Sequence, residues 1–168
     1  MKKQKQSSLL SHLISVLILP FNVTIIIPAL LLFFFQQKLG AVLIALGAIF
    51  ILSGLLLVVI TVKHFATRGK GTLAPWDPPK KLVVSGPYQY SRNPMISGVA
   101  CILLGEAIAF GSLPILLWFI LFITVNYLYF IFGEEPRLTK RFGEDYLQYK
   151  KHVPRLFPRR TPWRPADK

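Results

Sequence analysis

From Ala41 to Val62 the chain runs without a single charged side chain. A helix over this run, rising about 1.5 Å per residue, matches the roughly 30 Å hydrocarbon core of a bilayer. Lipid offers backbone groups no partner, and a helix satisfies them within the segment. The run is therefore predicted to be a transmembrane helix, and the rest of the chain must be arranged around a membrane. Composition agrees, with 53% of the 168 residues hydrophobic and 16% charged. The lone Cys101 lies in an apolar stretch, and His12, His64 and His152 share no ligand spacing. No disulfide framework and no metal site is expected.

Upstream, a basic tail from Met1 to Ser8 precedes an apolar run from Leu9 to Phe35, predicted as one bent transmembrane helix that tilts, kinks at Pro20 or Pro28, or leaves its first turn in the interface. Gln36 to Gly40 reads as a turn. Lys63 to Ser91 is rich in Gly, Pro and Lys and is predicted to be an ordered loop, with Trp76 and Leu82 to Val84 apolar enough to pack at the interface or over a pocket. A third span runs from Pro94 to Phe110 and carries Glu106, for which an interhelical hydrogen bond is expected. After the turn Gly111-Ser112-Leu113, Pro114 opens a fourth span ending near Phe132. The fold class is all-α: about four transmembrane helices plus a C-terminal amphipathic interfacial helix. Residues 1–62 form an N-terminal part and 63–168 a second one containing the loop, the hairpin and the C-terminal segment.

Spans three and four form an antiparallel hairpin, so Arg92-Asn93-Pro94 should meet Gly133-Glu134-Glu135-Pro136 on one membrane face. With both termini on that face, it holds 19 of the 20 Lys and Arg residues, and Lys38 alone lies opposite. The positive-inside rule makes it cytoplasmic. The net charge of +13 is thus read as a topology signal, and no nucleic-acid partner is expected. Leu138, Phe142, Tyr146 and Tyr149 form an apolar stripe predicted to lie against the membrane surface, with Gly143 splitting the segment into two short helices. The tail with Pro154, Pro158, Pro162 and Pro165 cannot continue a helix and is expected to be extended on anionic headgroups or disordered.

The segment from Ser85 to Gly98 is a compact polar hinge between apolar spans. Gly86-Pro87 reads as a turn and Asn93-Pro94 as a helix opening with Pro at its first position. A helix N-terminus beside Arg92 suits a ligand carboxylate or phosphate. Glu134 and Glu135 either open the next helix, where negative charge is favourable, or bind ribose hydroxyls or a cationic ligand group.

Leu82-Val83-x-Ser85-Gly86-Pro87-Tyr88-x-Tyr90-x-Arg92-Asn93-Pro94-Met95-x-x-Gly98, followed by Glu134-Glu135-x-x-Leu138, Phe142-Gly143-x-x-Tyr146-x-x-Tyr149 and Val153-Pro154, resembles the isoprenylcysteine carboxyl methyltransferase and phospholipid methyltransferase superfamily of integral-membrane enzymes. The likeness covers roughly residues 80 to 155. It implies methyl transfer from S-adenosylmethionine to a lipophilic acceptor, either a small molecule or a lipid-modified substrate, with cofactor entering from the cytosol and membrane lipids around the site. It places the cofactor against Leu82, Val83, Tyr88, Arg92, Asn93, Pro94 and Glu134. Arg92 would hold the methionine carboxylate, Glu134 the ribose hydroxyls or amino group, and Tyr88 would cover the adenine or sulfonium. Arg92 and Glu135 are the catalytic candidates, Glu135 for substrate orientation or proton acceptance.

This chain departs from the family pattern in carrying Asn93 where many members have His and Ile96 where many have Tyr. Phe130 replaces the substrate-contacting Arg of the isoprenylcysteine enzymes. A His base and recognition of a prenylcysteine carboxylate are therefore not supported. A catalytically inactive membrane scaffold and an NADPH-dependent reductase are the alternative readings.

Overall fold

A computed structural model describes residues 20–35, 40–68 and 82–164. The basic N-terminal tail, the first half of the Leu9 to Phe35 run, the turn containing Lys38 and the loop around Trp76 lie outside the described residues. A π-helical turn Asn22–Ile26 leads into α1 (Ile27–Phe34). Then follow α2 (Ala41–Arg68), a 3-10 turn Gly86–Gln89, α3 (Pro94–Ala109) and α4 (Leu113–Tyr129). A second π-helical turn Phe130–Glu134 joins α4 to α5 (Glu135–Phe142), and α6 (Glu144–His152) completes the helices. The described residues contain no strand. Ala41–His64 and Leu113–Phe142 are long and apolar enough to cross a membrane, and Pro94–Ala109 is a shorter apolar helix. Val42, Ile49 and Leu52 are more than three-fifths exposed, which in water would be costly and in lipid is not. This is an all-α membrane protein.

The helices α2 and α3 run against each other along a seam of glycines. Gly54 faces Gly98, and seven residues along each helix Gly47 faces Gly105. A Cβ added at Gly54 would lie 2.5 Å from the Gly98 carbonyl oxygen, and one at Gly105 2.7 Å from that of Gly47. Small residues let the two backbones touch, which in lipid replaces the hydrophobic drive of water. Val58, Val99, Ile102, Leu103 and Phe122 close the core beside the seam. Among the described residues Glu106 does not make the expected interhelical bond: its Oε2 is buried with no hydrogen-bond partner there.

Both π-helical turns have one cause. In the first, the Ile27 N–H donates to the Asn22 carbonyl, one residue further back than in an α-helix. In that register the Val23 carbonyl would look to residue 28, but Pro28 has no N–H. The orphaned oxygen takes the indole Nε1–H of Trp118 at 3.1 Å, pinning α4 to the first membrane segment. In the second turn the Glu135 N–H donates to the Phe130 carbonyl, and Pro136 stands where Pro28 stood. The helix is therefore continuous from Leu113 to Phe142. Glu134 and Glu135 do not open a new helix, and the extra residue of the turn rotates them to the directions described below.

The C-terminal segment is amphipathic and splits at Gly143, whose φ of 54° favours glycine. Its apolar stripe meets protein: Tyr146, Tyr149 and Val153 are buried, with Leu82, Val84, Leu138, Phe142 and Trp163 packed on them. The described part of the tail, to Arg164, is neither disordered nor free. It folds back along the polar hinge, with the Arg92 N–H donating to the Pro154 carbonyl (2.8 Å) and the Asn93 N–H to that of Arg155 (3.0 Å). In return the Arg159 and Trp163 N–H groups donate to the Tyr90 and Gln89 carbonyls. Prolines forbid helix here and leave backbone groups unspent, and the hinge uses them.

Candidate functional site

The hinge is anchored on one side by α2 and on the other by the tail. His64 Nε2 and Ser85 Oγ hydrogen-bond at 2.8 Å, and the imidazole lies so close to Gly86 (φ 60°) that a Cβ there would sit 2.7 Å from the ring. Ser91 and Ser97 hydroxyls donate to the Arg155 and Leu156 carbonyls at 2.8 and 2.6 Å. Asn93 and Pro94 open α3 as expected, but Asn93 makes no side-chain cap.

The hairpin brings Arg92 to the glutamates. Arg92 Nη1 donates to Glu135 Oε1 at 2.9 Å and to the Tyr146 hydroxyl at 3.2 Å, and its Nε donates to the Val153 carbonyl at 2.8 Å. Glu135 is also bound by Arg155 Nε at 2.5 Å and Lys150 Nζ at 2.7 Å. Both Arg92 and Glu135 side chains are more than nine-tenths buried. Burial by itself would raise the Glu135 pKa, but hydrogen bonds from Arg155 and Lys150 and the Arg92 charge outweigh it and hold the carboxyl at about 2. Such a group accepts no proton near neutrality. Glu135 is thus the centre of an ion cluster. Arg92 likewise spends two of its nitrogens on protein.

Glu134 is the opposite case. It is half-buried and makes no hydrogen bond or ion pair among the described residues. Burial raises its pKa to about 7, the Glu135 charge adds to this, and Arg137 and Arg92 only partly offset it. It lines a cleft of about 500 Å³, counting its open mouth, walled by Leu82, Val83, Tyr88, Arg92, Asn93 and a set of aromatic rings. Desolvation pushes the Tyr88 hydroxyl well above the ordinary phenol range, with the Glu134 charge adding to it. The Tyr149 hydroxyl donates to the Tyr88 carbonyl at 2.7 Å and fixes that wall.

Of the residues singled out from the sequence, Leu82, Val83, Tyr88, Arg92, Asn93, Glu134 and Glu135 come together around this cleft. Pro94 does not: it is buried in the first turn of α3 and does not line it. A family model described as phospholipid methyltransferase matches residues 35–145. The chain belongs to the phospholipid methyltransferase family. As such it is a membrane methyltransferase, within the superfamily whose motifs the hinge and the twin glutamates resemble. No curated protein and no solved structure matches it.

Several residues around this cleft were not singled out from the sequence as site residues. Phe130, Phe142, Tyr146 and Tyr149 line the cleft; the last three belong to the amphipathic stripe and to the family motif, neither of which assigns them to a site. Lys150 and Arg155 complete the ion cluster. Tyr146, Tyr149 and Val153 share one helical face, a detectable signal. Arg155, inside a proline-broken tail, gives none.

Proposed function

We propose that the protein transfers a methyl group from S-adenosylmethionine to a lipophilic acceptor, with the cofactor held in the cleft of Glu134. The observation that carries this is the Glu134 carboxylate, unpaired among the described residues and beside aromatic walls, one residue from a glutamate saturated by cations. The cofactor's chemistry fits the donor set. Glu134 would take ribose hydroxyls or the ammonium, the remaining Arg92 nitrogen and the Asn93 amide would take the methionine carboxylate, and Tyr88 would cover adenine or sulfonium. When bound, the sulfonium supplies an already activated methyl, so the chain's own residues need only bind, align and exclude water. Glu135 positions rather than reacts, by fixing Arg92 and the tail.

The cleft opens, on the same reading, toward the cytosol, because nearly all Lys and Arg residues are predicted on its side of the membrane. Cysteine labelling in a Cys101→Ala background tests this: Thr161→Cys should react from the cytoplasmic side and Leu113→Cys from the other, and the reverse would overturn it. The cofactor reading is tested by titrating the detergent-solubilised protein with S-adenosylmethionine and S-adenosylhomocysteine across neutrality. Contacts made by ionised Glu134 are lost as pH falls through about 7, so affinity for both should rise with pH across that value. Tighter binding of NADPH than of either would instead favour a reductase, and no binding in folded protein would favour a scaffold.

A further inference from the structure

His64 stands near the end of α2, beyond the glycine seam, and does not line the Glu134 cleft. What it holds is the start of the turn that carries Tyr88. Ser85 is the N-cap of the 3-10 turn Gly86–Gln89 and a residue type suited to capping, yet its hydroxyl makes no cap and is hydrogen-bonded to His64 Nε2 at 2.8 Å. The ring also lies against Gly86, where a Cβ would be 2.7 Å from its Cε1 and 2.9 Å from its Nδ1. With a φ of 60° at Gly86 and Pro87 next, glycine's freedom and proline's ring set the shape of this entry, and the imidazole sets its place. Two residues beyond Gly86, Tyr88 is buried and walls the cleft, and its carbonyl accepts from the Tyr149 hydroxyl at 2.7 Å. The wall is therefore held from two sides, by α6 at Tyr88 itself and by α2 at Ser85 and Gly86.

We propose that His64 is a positioning residue for the Glu134 cleft. Through Ser85 and Gly86 it sets where Tyr88 stands, so α2, which contributes none of the described lining residues, governs the fit of what the cleft binds. That the ligand is S-adenosylmethionine rests on the cofactor reading above, whereas the hold on the wall does not.

The test is amide hydrogen exchange of the full chain in detergent, resolved to single residues by electron-transfer fragmentation, with S-adenosylhomocysteine affinity measured on the same variants. The Tyr90 and Ser91 N–H groups donate to the Pro87 carbonyl within the turn, whereas those of Arg92 and Asn93 donate to the tail at Pro154 and Arg155. A Gln side chain carries its amide nitrogen to about the place of imidazole Nε2, and Asn stops at that of Nδ1, so His64→Gln keeps the bond and His64→Asn loses it. In His64→Asn and in Ser85→Ala, exchange at Tyr90 and Ser91 should speed by about three- to tenfold, the worth of one hydrogen bond. Exchange at Arg92 and Asn93 should stay as it was, and the double variant should be no faster than either single one. S-Adenosylhomocysteine affinity should fall by a similar factor in His64→Asn and return in His64→Gln. Equal speeding at both pairs of amides, no speeding in His64→Asn, or native affinity in a His64→Asn protein whose turn has loosened would each overturn the proposal. Should the native protein bind no S-adenosylhomocysteine while the exchange pattern holds, the positioning role stands and the cofactor reading falls.

Discussion

Between α2 and α3 the chain sets backbone against backbone through Gly47, Gly54, Gly98 and Gly105, with no charge involved. At the hinge the same chain adds to a packed apolar cluster a set of directed polar contacts, a buried carboxylate shared by three cations and a tail tied through main-chain carbonyls. The two regions answer to different solvents. In lipid, close packing is the available attraction, so the seam is spare and apolar. At the headgroup boundary charges can be kept if each is paired, and pairing fixes geometry in a way apolar contact does not. The Glu134 cleft lies in the second region, where side chains can be held in set directions.

The sharpest way to break this comparison is Glu135→Ala. Three cations lose their common partner, and removing one side of a buried ion cluster costs about 3–5 kcal/mol. Thermal unfolding in detergent reads this, and a loss under about 1 kcal/mol would mean the cluster is dispensable. In the membrane half, Gly54→Leu forces a side chain onto the Gly98 carbonyl and should cost about 1–3 kcal/mol, with cofactor affinity per folded molecule unchanged. A change in affinity would show that the seam is not separate from the site.

Acid sharpens the same contrast. Glu135 has its pKa lowered from 4.5 to about 2, so its contribution is fully present above 4.5 and is lost as pH falls through about 2. Unfolding in that window should weaken or vanish in Glu135→Gln, whereas an unchanged acid profile would place the sensitivity elsewhere. The smallest effect is expected from Lys150→Ala. Its side chain is 39% exposed, so solvent screens the pair and the cost should be about 0.2–1 kcal/mol.

Much of the fold was legible because lipid reduces the choices. The charge-free run of α2, the short third span and the Gly111 turn follow from hydropathy and length alone, and the hairpin by itself sets Arg92 beside the glutamates. Two things were not legible. A π-helical turn depends on what Pro28 and Pro136 fail to donate, and in a sequence each proline reads equally well as a kink or a helix start. The tail was read as loose because it cannot form a helix, yet its carbonyls are the acceptors that Arg92, Ser91 and Ser97 require. The sequence also could not separate Glu134 from Glu135. Their opposite states come from partners 15 to 43 residues from Glu135 (Lys150, Arg155 and Arg92), all of which reach one and none of which bonds to the other.

That asymmetry is the central claim, and calorimetric titration of the folded protein with S-adenosylmethionine, comparing the native chain with Glu134→Gln, tests it most directly. The native chain should bind saturably and Glu134→Gln at least about tenfold more weakly, the loss of one hydrogen bond to a charged group, with its thermal stability kept or raised. Unchanged affinity in Glu134→Gln, or no binding by folded native protein, would contradict the account.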